Sequence, residues 1–275
     1  MELNKEKFIY WVTERDCIRH LKEGGLPKPW SIDPVFQHTY FCNIDREQDR
    51  VTKWLRYRYD TYGEDIASVP NMMLARMVNK TESLEALGWP WNLWLPEQWH
   101  DVMSQKGSWG SAYIVSTNGQ AMPKHTYIAG LLEVAFDRFA GGIGANVPPT
   151  LSGWHSAIQQ LHGMGSFMSA QVVADLKNTK GHELAGAPDW WTWASHGPGS
   201  LRGLEWFHGE RVTPSNFMEA LVSARHWCNT NGNGGLVEPL CNQNLQNYYL
   251  PCGGLTTPSR ECCSTPNVEP TLTFM

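Results

Sequence analysis

Apolar residues near the start of the chain recur at helical intervals. Phe8, Trp11, Val12, Cys17, Ile18 and Leu21 share one face, which predicts a helix over Lys7–Lys22. Gly24-Gly25 stops it. Leu26-Pro27-Lys28-Pro29-Trp30 then reads as a rigid, extended connector, because each proline biases the residue before it away from helix. A second helix is expected to start at Asn43, a good N-cap type, with Asp45 and Glu47 favourably placed against the positive end of its dipole. At about 100° per residue, Ile44, Val51 and Leu55 gather on one side, with Trp54 at the edge. Arg46, Asp49, Arg50, Lys53 and Tyr57 gather on the other. The first stripe is core. The second is dense in groups that bind anions or, equally, pair with one another on a solvated face.

Pro70–Leu87 and Pro96–Lys106 read as further helices. Ala112–Ser116 followed by Asn118-Gly119 is a strand-and-turn signal and predicts a small β-hairpin. The helical pattern returns over Tyr127–Phe139 and ends at Gly141-Gly142-Ile143-Gly144, read as a loop. No Lys-Ser or Lys-Thr follows at P-loop spacing, and no Walker A run occurs in the sequence, which argues against P-loop kinase chemistry. Ser152 is expected to cap a helix bearing Trp154, Ala157, Ile158 and Leu161, followed by a tight turn and another helix to Leu176. Thr213-Pro214 is expected to open a late helix, Asn229–Gly235 to form a loop, and the tail 251–275 to be irregular. No repeat or linker is visible. The expectation is a mainly α chain with one composite helical domain over 1–250.

Composition makes the chain globular, at 41% hydrophobic and 18% charged residues. Fourteen tryptophans far exceed the usual share; most are expected in the core, and the surplus suits stacking on planar rings. A net charge of −5 opposes broad wrapping of nucleic acid, although half of the 22 Lys and Arg residues precede Asp60. Any DNA contact must therefore be local, made by a focused patch and by backbone amides. The seven cysteines, an odd number with Cys252, Cys262 and Cys263 near the C-terminus, form no paired Cys-x-x-Cys framework. This favours a reduced, cytoplasmic chain without structural zinc. Neither a signal peptide nor a membrane span is expected.

The sharpest local motif is Leu161-His162-Gly163-Met164-Gly165-Ser166-Phe167-Met168-Ser169-Ala170. It resembles the helix-hairpin-helix of DNA glycosylases, placed here at about 152–176. Glycines let the backbone turn sharply and approach a phosphate, and amides at the new helix's N-terminus donate to it with help from the helix dipole. Gly163, Met164, Gly165 and Ser166 are the candidate DNA-binding residues; an ordinary turn with glycines used only for packing is the plain alternative. The second motif, Gly197-Pro198-Gly199-Ser200-Leu201-Arg202-Gly203, is too glycine-rich for a helix interior. It would offer amides, Ser200 and Arg202 to an anion such as a diphosphate. Glycosylases with this hairpin commonly place a catalytic Asp a couple of dozen residues beyond it. Asp189 lies near that distance and Asp175 is closer, with helix capping the alternative for both.

Two further patterns, Pro29-Trp30-x-x-Asp33-Pro34 and Phe41-Cys42-Asn43-x-x-Arg46-Glu47-x-Asp49-Arg50, complete a resemblance that runs from about Phe8 to Cys241. The chain resembles the helical DNA-base hypermodification family of bacteriophages, the α-glutamyl/putrescinyl thymine pyrophosphorylases or amino acid:DNA transferases, whose helical module also occurs in 5-hydroxymethyluracil DNA kinases. The resemblance implies a DNA-glycosylase-like helical fold and a stepwise chemistry. An upstream 5-hydroxymethyluracil DNA kinase makes a diphosphate ester on the base in double-stranded DNA. An amino acid or polyamine then displaces the diphosphate, and the lack of a P-loop points to this second step.

That step asks for cations and amides around the leaving group, for which Arg50, Lys53, Ser200 and Arg202 are candidates. A proton acceptor and its neighbours are sought among Asn43, Arg46, Asp49 and Asp189. Trp30 or Trp191 would stack on an extruded base. Cys42 could add to the uracil ring, or be a buried small hydrophobe. No metal site is read, and a divalent cation accompanying the diphosphate stays open. Two rivals remain: a base-excising glycosylase, for which no lysine follows the hairpin at the bifunctional spacing, and a noncatalytic DNA-binding module. The host-cell cytoplasm is the expected location if the chain is phage-encoded.

Overall fold

A computed structural model of the chain describes residues 2–39, 41, 43–62, 68–112, 115–139 and 147–231. The contacts divide the chain into two compact units. One joins Met1–Arg46 to the chain from Pro198 onward; the other is Glu47–Gly197.

The second unit is organised around α4 (Ser68–Val78), in which every residue from Val69 to Val78 is buried. A helix apolar on all sides belongs in the middle of a core. Against it lie α7 (Lys124–Phe139) and α9 (Ser166–Lys177), and α8 (Leu151–Gln159) packs on α9. The one charge on α4 is Arg76, 1% exposed. Its Nε and Nη2 donate to the two carboxylate oxygens of Asp175 on α9 at 2.6 and 2.7 Å, and Nη2 also donates to Thr52 Oγ1 at 2.8 Å. Arg56 approaches Asp175 at 3.5 Å and forms a two-pronged pair with Glu47 at 2.7 and 2.9 Å. Asp175, weighed as a catalytic residue, is thus the buried partner of an arginine.

Tryptophans fill much of this core, and their polar edges are satisfied. Trp89, Trp91, Trp99 and Trp154 are at most 4% exposed. Their indole N–H groups donate to Asn71 O, Leu87 O, His125 O and Glu183 Oε1 respectively. Two short helices, α5 (Thr81–Ala86) and α6 (Pro96–Met103), complete the unit's N-terminal half.

In the first unit, α1 (Glu2–Glu23) packs on α10 (Pro198–His208), which packs on α11 (Phe217–Asn231). Phe8 meets Phe207 edge-on at 5.3 Å, and Phe207 meets Trp227 at 5.6 Å. The Pro-Trp-x-x-Asp-Pro segment is fastened to α1. Ser31 Oγ donates to Glu14, Tyr10 donates to Asp33 at 3.2 Å, and Asp33 caps α2 (Pro34–His38) by accepting from Val35 N at 2.8 Å. Burial pushes the Glu14 carboxyl above its ordinary range, with the Ser31 hydroxyl opposing and the Asp33 charge adding to the shift.

Several local expectations change. The second helix, α3, spans Arg50–Tyr62 and is capped by Asp49, whose Oδ2 accepts from Val51 N and Thr52 N at 3.1 Å each. Arg46–Gln48 forms a separate 3-10 turn, so Asn43 caps no long helix. Thr150, not Ser152, caps α8, accepting from Gly153 N at 3.0 Å. The Gly-Pro-Gly-Ser-x-Arg run is no loop: Pro198 stands at the start of α10, where its missing N–H costs nothing. The late helix begins at Phe217 after a turn, and Asn229–Asn231, expected in a loop, are helical.

The small β-hairpin is not seen: no strand occurs among the described residues. Asn118 and Gly119 do make a left-handed turn, but hydrogen bonds from Gln120 N to Thr117 O and from Met122 N to Gln120 O curl the chain toward α7 instead of starting a ladder. Tyr113, Ile114, Cys42, Gly141–Gly144 and the tail 251–275 lie outside the described residues.

Asp175→Ala is expected to lower unfolding free energy by about 3–5 kcal/mol, because Arg76 is left charged and buried. The double change Arg76→Met/Asp175→Leu should recover most of that loss in urea unfolding. A second expectation concerns acid. His182 Nδ1 accepts from Leu184 N at 3.2 Å at the start of the 3-10 turn Glu183–Gly186, and burial pushes its imidazole down to about 4. A folded-state value below the unfolded one of about 6.5 means stability is fully present above that pH and is lost as pH falls toward 4. Relative to His182→Asn, which keeps a capping oxygen but does not titrate, the wild type should lose on the order of 3 kcal/mol across that window.

Candidate nucleic-acid interface

Between α8 and α9 the chain turns within six residues. Leu161 N donates to Ile158 O at 3.0 Å and Met164 N to Leu161 O at 3.1 Å, while the Leu161 and Met164 side chains are buried and pin the turn to the core. The two glycines differ in what they provide. Gly163 has φ +81°, and a Cβ there would stand 2.7 Å from a methyl of Leu131 and 3.3 Å from the Tyr127 hydroxyl. Gly165 is the N-cap of α9 in ordinary extended backbone (φ −76°, ψ 170°), with nothing within 4 Å of a Cβ. It supplies no side chain to cap the helix, and Ser169 N donates to Gly165 O at 3.0 Å. The first-turn amides thus lie at the positive end of a 12-residue helix that Gly165 leaves without a side-chain cap.

Two side chains missed in the sequence, His155 and Ser195, gather here with Ser166. Ser166 Oγ and Ser195 Oγ are 2.8 Å apart, and His155 Nε2 is 3.0 Å from Ser166 O. A carbonyl can only accept, so Nε2 carries the proton and Nδ1 the lone pair. Burial holds the His155 imidazole below its ordinary range; the bond to Ser166 opposes this, and His196 adds to it. The ring lies 5.1 Å from that of Trp193. The start of α9 is therefore lined by neutral hydrogen-bonding groups. Residues separated by 11 and 29 positions with no motif between them gave no local signal.

The other candidates are distributed over both units. Asp189 turns back to the preceding helix, accepting from Leu151 N at 2.8 Å and Ser152 N at 3.0 Å, so its carboxylate caps α8. Asp49 caps α3. Arg50 pairs with Glu82 at 3.3 Å in solvent, and Lys53 is exposed on α3. Trp191 is 48% exposed.

In the first unit, Asn43 is half-buried and Arg46 is buried in its 3-10 turn, off the α3 face where the helical projection placed it. Trp30 donates to Leu26 O at 2.7 Å and carries Lys28 Nζ 5.0 Å from its ring centre. Ser200 is buried within α10. Arg202 is exposed and lines an open cleft of about 320 Å³ with Glu205, Arg211 and Thr213. Among the described residues no group of three or more His, Cys, Asp or Glu side chains could hold a metal, and no helix is long and apolar enough to cross a membrane.

The unequal glycines have a direct test. Gly163→Ala is expected to cost about 1–3 kcal/mol from its left-handed backbone and the Leu131 clash. Gly165→Ala should change thermal stability by less than about 0.5 kcal/mol. Equal losses would place the constraint elsewhere in the turn.

The family described as "5-hmdU DNA kinase, helical domain" matches residues 4–232. A 5-hmdU DNA kinase of Bacillus phage SP10 is 25% identical over 209 residues, which cover 66% of this chain and 32% of that protein. The chain thus spans about a third of this relative's length. No solved structure matches. The matched span takes in α2 to α11 and all but the first two residues of α1, and includes the α8–α9 turn. The chain belongs to the family of the 5-hmdU DNA kinase helical domain.

Proposed function

We propose that this chain grips double-stranded DNA through the α8–α9 turn and modifies a thymine-derived base in it. The reaction is displacement of diphosphate from 5-diphosphoryloxymethyluracil by an amino acid or polyamine. The observation that carries the reading is the glycine turn opening α9, in a chain whose family is named for a kinase of that base. In this reading the turn is a helix-hairpin-helix, and the first amides of α9 hold a backbone phosphate with the aid of the helix dipole. A grip of this kind works on a chain of net charge −5.

Displacement is preferred to phosphorylation because a kinase acting on 5-hydroxymethyluracil creates a leaving group that some later step consumes, and no Walker A run occurs in this sequence. Arg202, exposed with Arg211 beside it in a cleft, is a candidate cation for a diphosphate, and exposed Arg50 and Lys53 offer charge on α3. Trp191, 48% exposed, suits an extruded base better than half-buried Trp30. Asp49 and Asp189 are candidates for accepting the proton of the amine, each through carboxylate lone pairs that its helix cap leaves, and neutral His155 is a third. Asn43 and Arg46 are assigned to orienting the base. A divalent cation accompanying the diphosphate remains part of the reading.

A second reading, a noncatalytic DNA-binding module, is favoured by the match to one helical domain within a longer kinase. One experiment separates the two. The protein is mixed with duplex DNA carrying 5-diphosphoryloxymethyluracil and a panel of amino acids and polyamines, and the digested nucleosides are analysed by mass spectrometry. A new amine adduct with release of diphosphate is expected. DNA binding without any adduct would leave the binding module; an abasic product would mean glycosylase chemistry. Equal product from unphosphorylated 5-hydroxymethyluracil DNA would overturn the displacement step.

A further inference from the structure

Next to the α8–α9 turn lies an open cleft of about 530 Å³, lined by Asn118, Gln159, Gln160 and His162 and by the turn itself through Gly165. Its polar side chains are three carboxamides and an imidazole; neither a carboxylate nor a lysine or arginine lines it. We infer that this cleft is a second DNA contact, in which the Asn118 turn and Gln159 engage sugar and base edges of the strand whose phosphate the glycine turn holds. The inference rests on the DNA-binding reading above.

Three observations carry it. First, the Thr117–Gln120 turn joins no strand among the described residues, and its residues from Asn118 onward are exposed in a left-handed turn. Asn118 has φ +51° and Gly119 φ +78°, closed by Gln120 N to Thr117 O at 3.0 Å and Thr117 Oγ1 to Gln120 O at 2.9 Å. Asn and Gly adopt this left-handed turn readily, so its shape is locally encoded, and it presents Asn118 to the cleft.

Second, the turn is tied to the glycine turn through a single phenol. Asn118 Nδ2 donates to the buried Tyr127 hydroxyl at 2.9 Å, and that hydroxyl sits against Gly163. Whatever docks on one turn meets the other in a fixed register.

Third, the chemistry of the lining selects its partner. Gln160 Oε1 is already taken by Arg138 at 2.9 Å, and Asn118 is engaged by Tyr127 and, at 3.4 Å, by Ser116 Oγ, so each has only part of its capacity left to offer, while Gln159 is exposed with both functions. Carboxamides present a donor and an acceptor side by side, the pattern that matches base edges and not a phosphate, for which lysine and arginine are the usual partners.

The test is fluorescence anisotropy with a short DNA duplex across a salt series, using Asn118→Gly/Gln159→Ala. Both positions are exposed, and glycine accepts the left-handed backbone, so the unfolding midpoint should stay near that of the wild type. The variant is expected to bind about tenfold or more weakly at every salt concentration, with the slope of log affinity against log salt unchanged, because no counterion release is lost. Tyr127→Phe, which cuts the tie but keeps the ring, should lose affinity in the same salt-independent manner. Wild-type affinity in the double variant, alongside weakened binding by Gly163→Ala, would overturn the cleft contact and leave the DNA-binding reading intact. A flatter salt slope would also overturn it, by placing phosphates in the cleft. A wild type that does not bind duplex DNA would defeat the underlying reading instead.

Discussion

The arrangement of the 47–197 unit depends on one buried ion pair. Burying a guanidinium and a carboxylate is costly unless both are fully engaged. Here each Asp175 oxygen accepts from Arg76, Thr52 takes a further guanidinium N–H, and Arg56 approaches from a third direction. The pair therefore joins α3, α4 and α9 at one point. Apolar helices can slide along each other at small energetic cost, but a two-pronged pair cannot. With α9 held at Asp175, its N-terminus lies about 14 Å away along a rigid rod, at 1.5 Å per residue. The position of the glycine turn is thus set from the far end of the same helix.

Much of this was legible in the sequence because it rests on periodicity and local stops. The helix through Phe8, Trp11 and Val12, the helix over Tyr127–Phe139 and the tight turn between two helices after Leu161 follow from apolar spacing and glycine. Five of the fourteen tryptophans are buried and eight more are half-buried, fewer in the core than their size alone suggested. What failed depended on partners distant in sequence. Asn43 and Asp49 are equally good caps by type, and Ile44 is buried either way. The choice falls to Asp49, with Glu47 beyond the helix start held by Arg56 and Asn178. Glycine content argued against a helix at 198–208, but the helical penalty of about 1 kcal/mol per glycine is outweighed by burial of Leu204 and Phe207.

The site was legible in outline and not in detail. The two glycines look interchangeable as letters, yet only Gly163 needs a left-handed backbone, because Leu131 and Tyr127 from α7 close over it. Asp189 stood at a suggestive distance, and its carboxylate is spent on two amides of α8. The neutral cluster of His155, Ser166 and Ser195 is a product of tertiary packing alone.

The division of the chain also sets an order of events during synthesis. Residues 47–197 form one unbroken stretch, whereas the other unit is split between the first 46 residues and those from 198 onward. On a ribosome the middle unit can close as soon as its last helices emerge, since domains fold as units from the N-terminal side. Helix α1 is made before that unit and waits for α10, so Phe8 lacks its Phe207 partner until residues 198–208 have been made. The nascent chain thus carries the amphipathic α1 without α10 for about 150 residues of translation. That waiting helix is the segment a chaperone would be expected to hold.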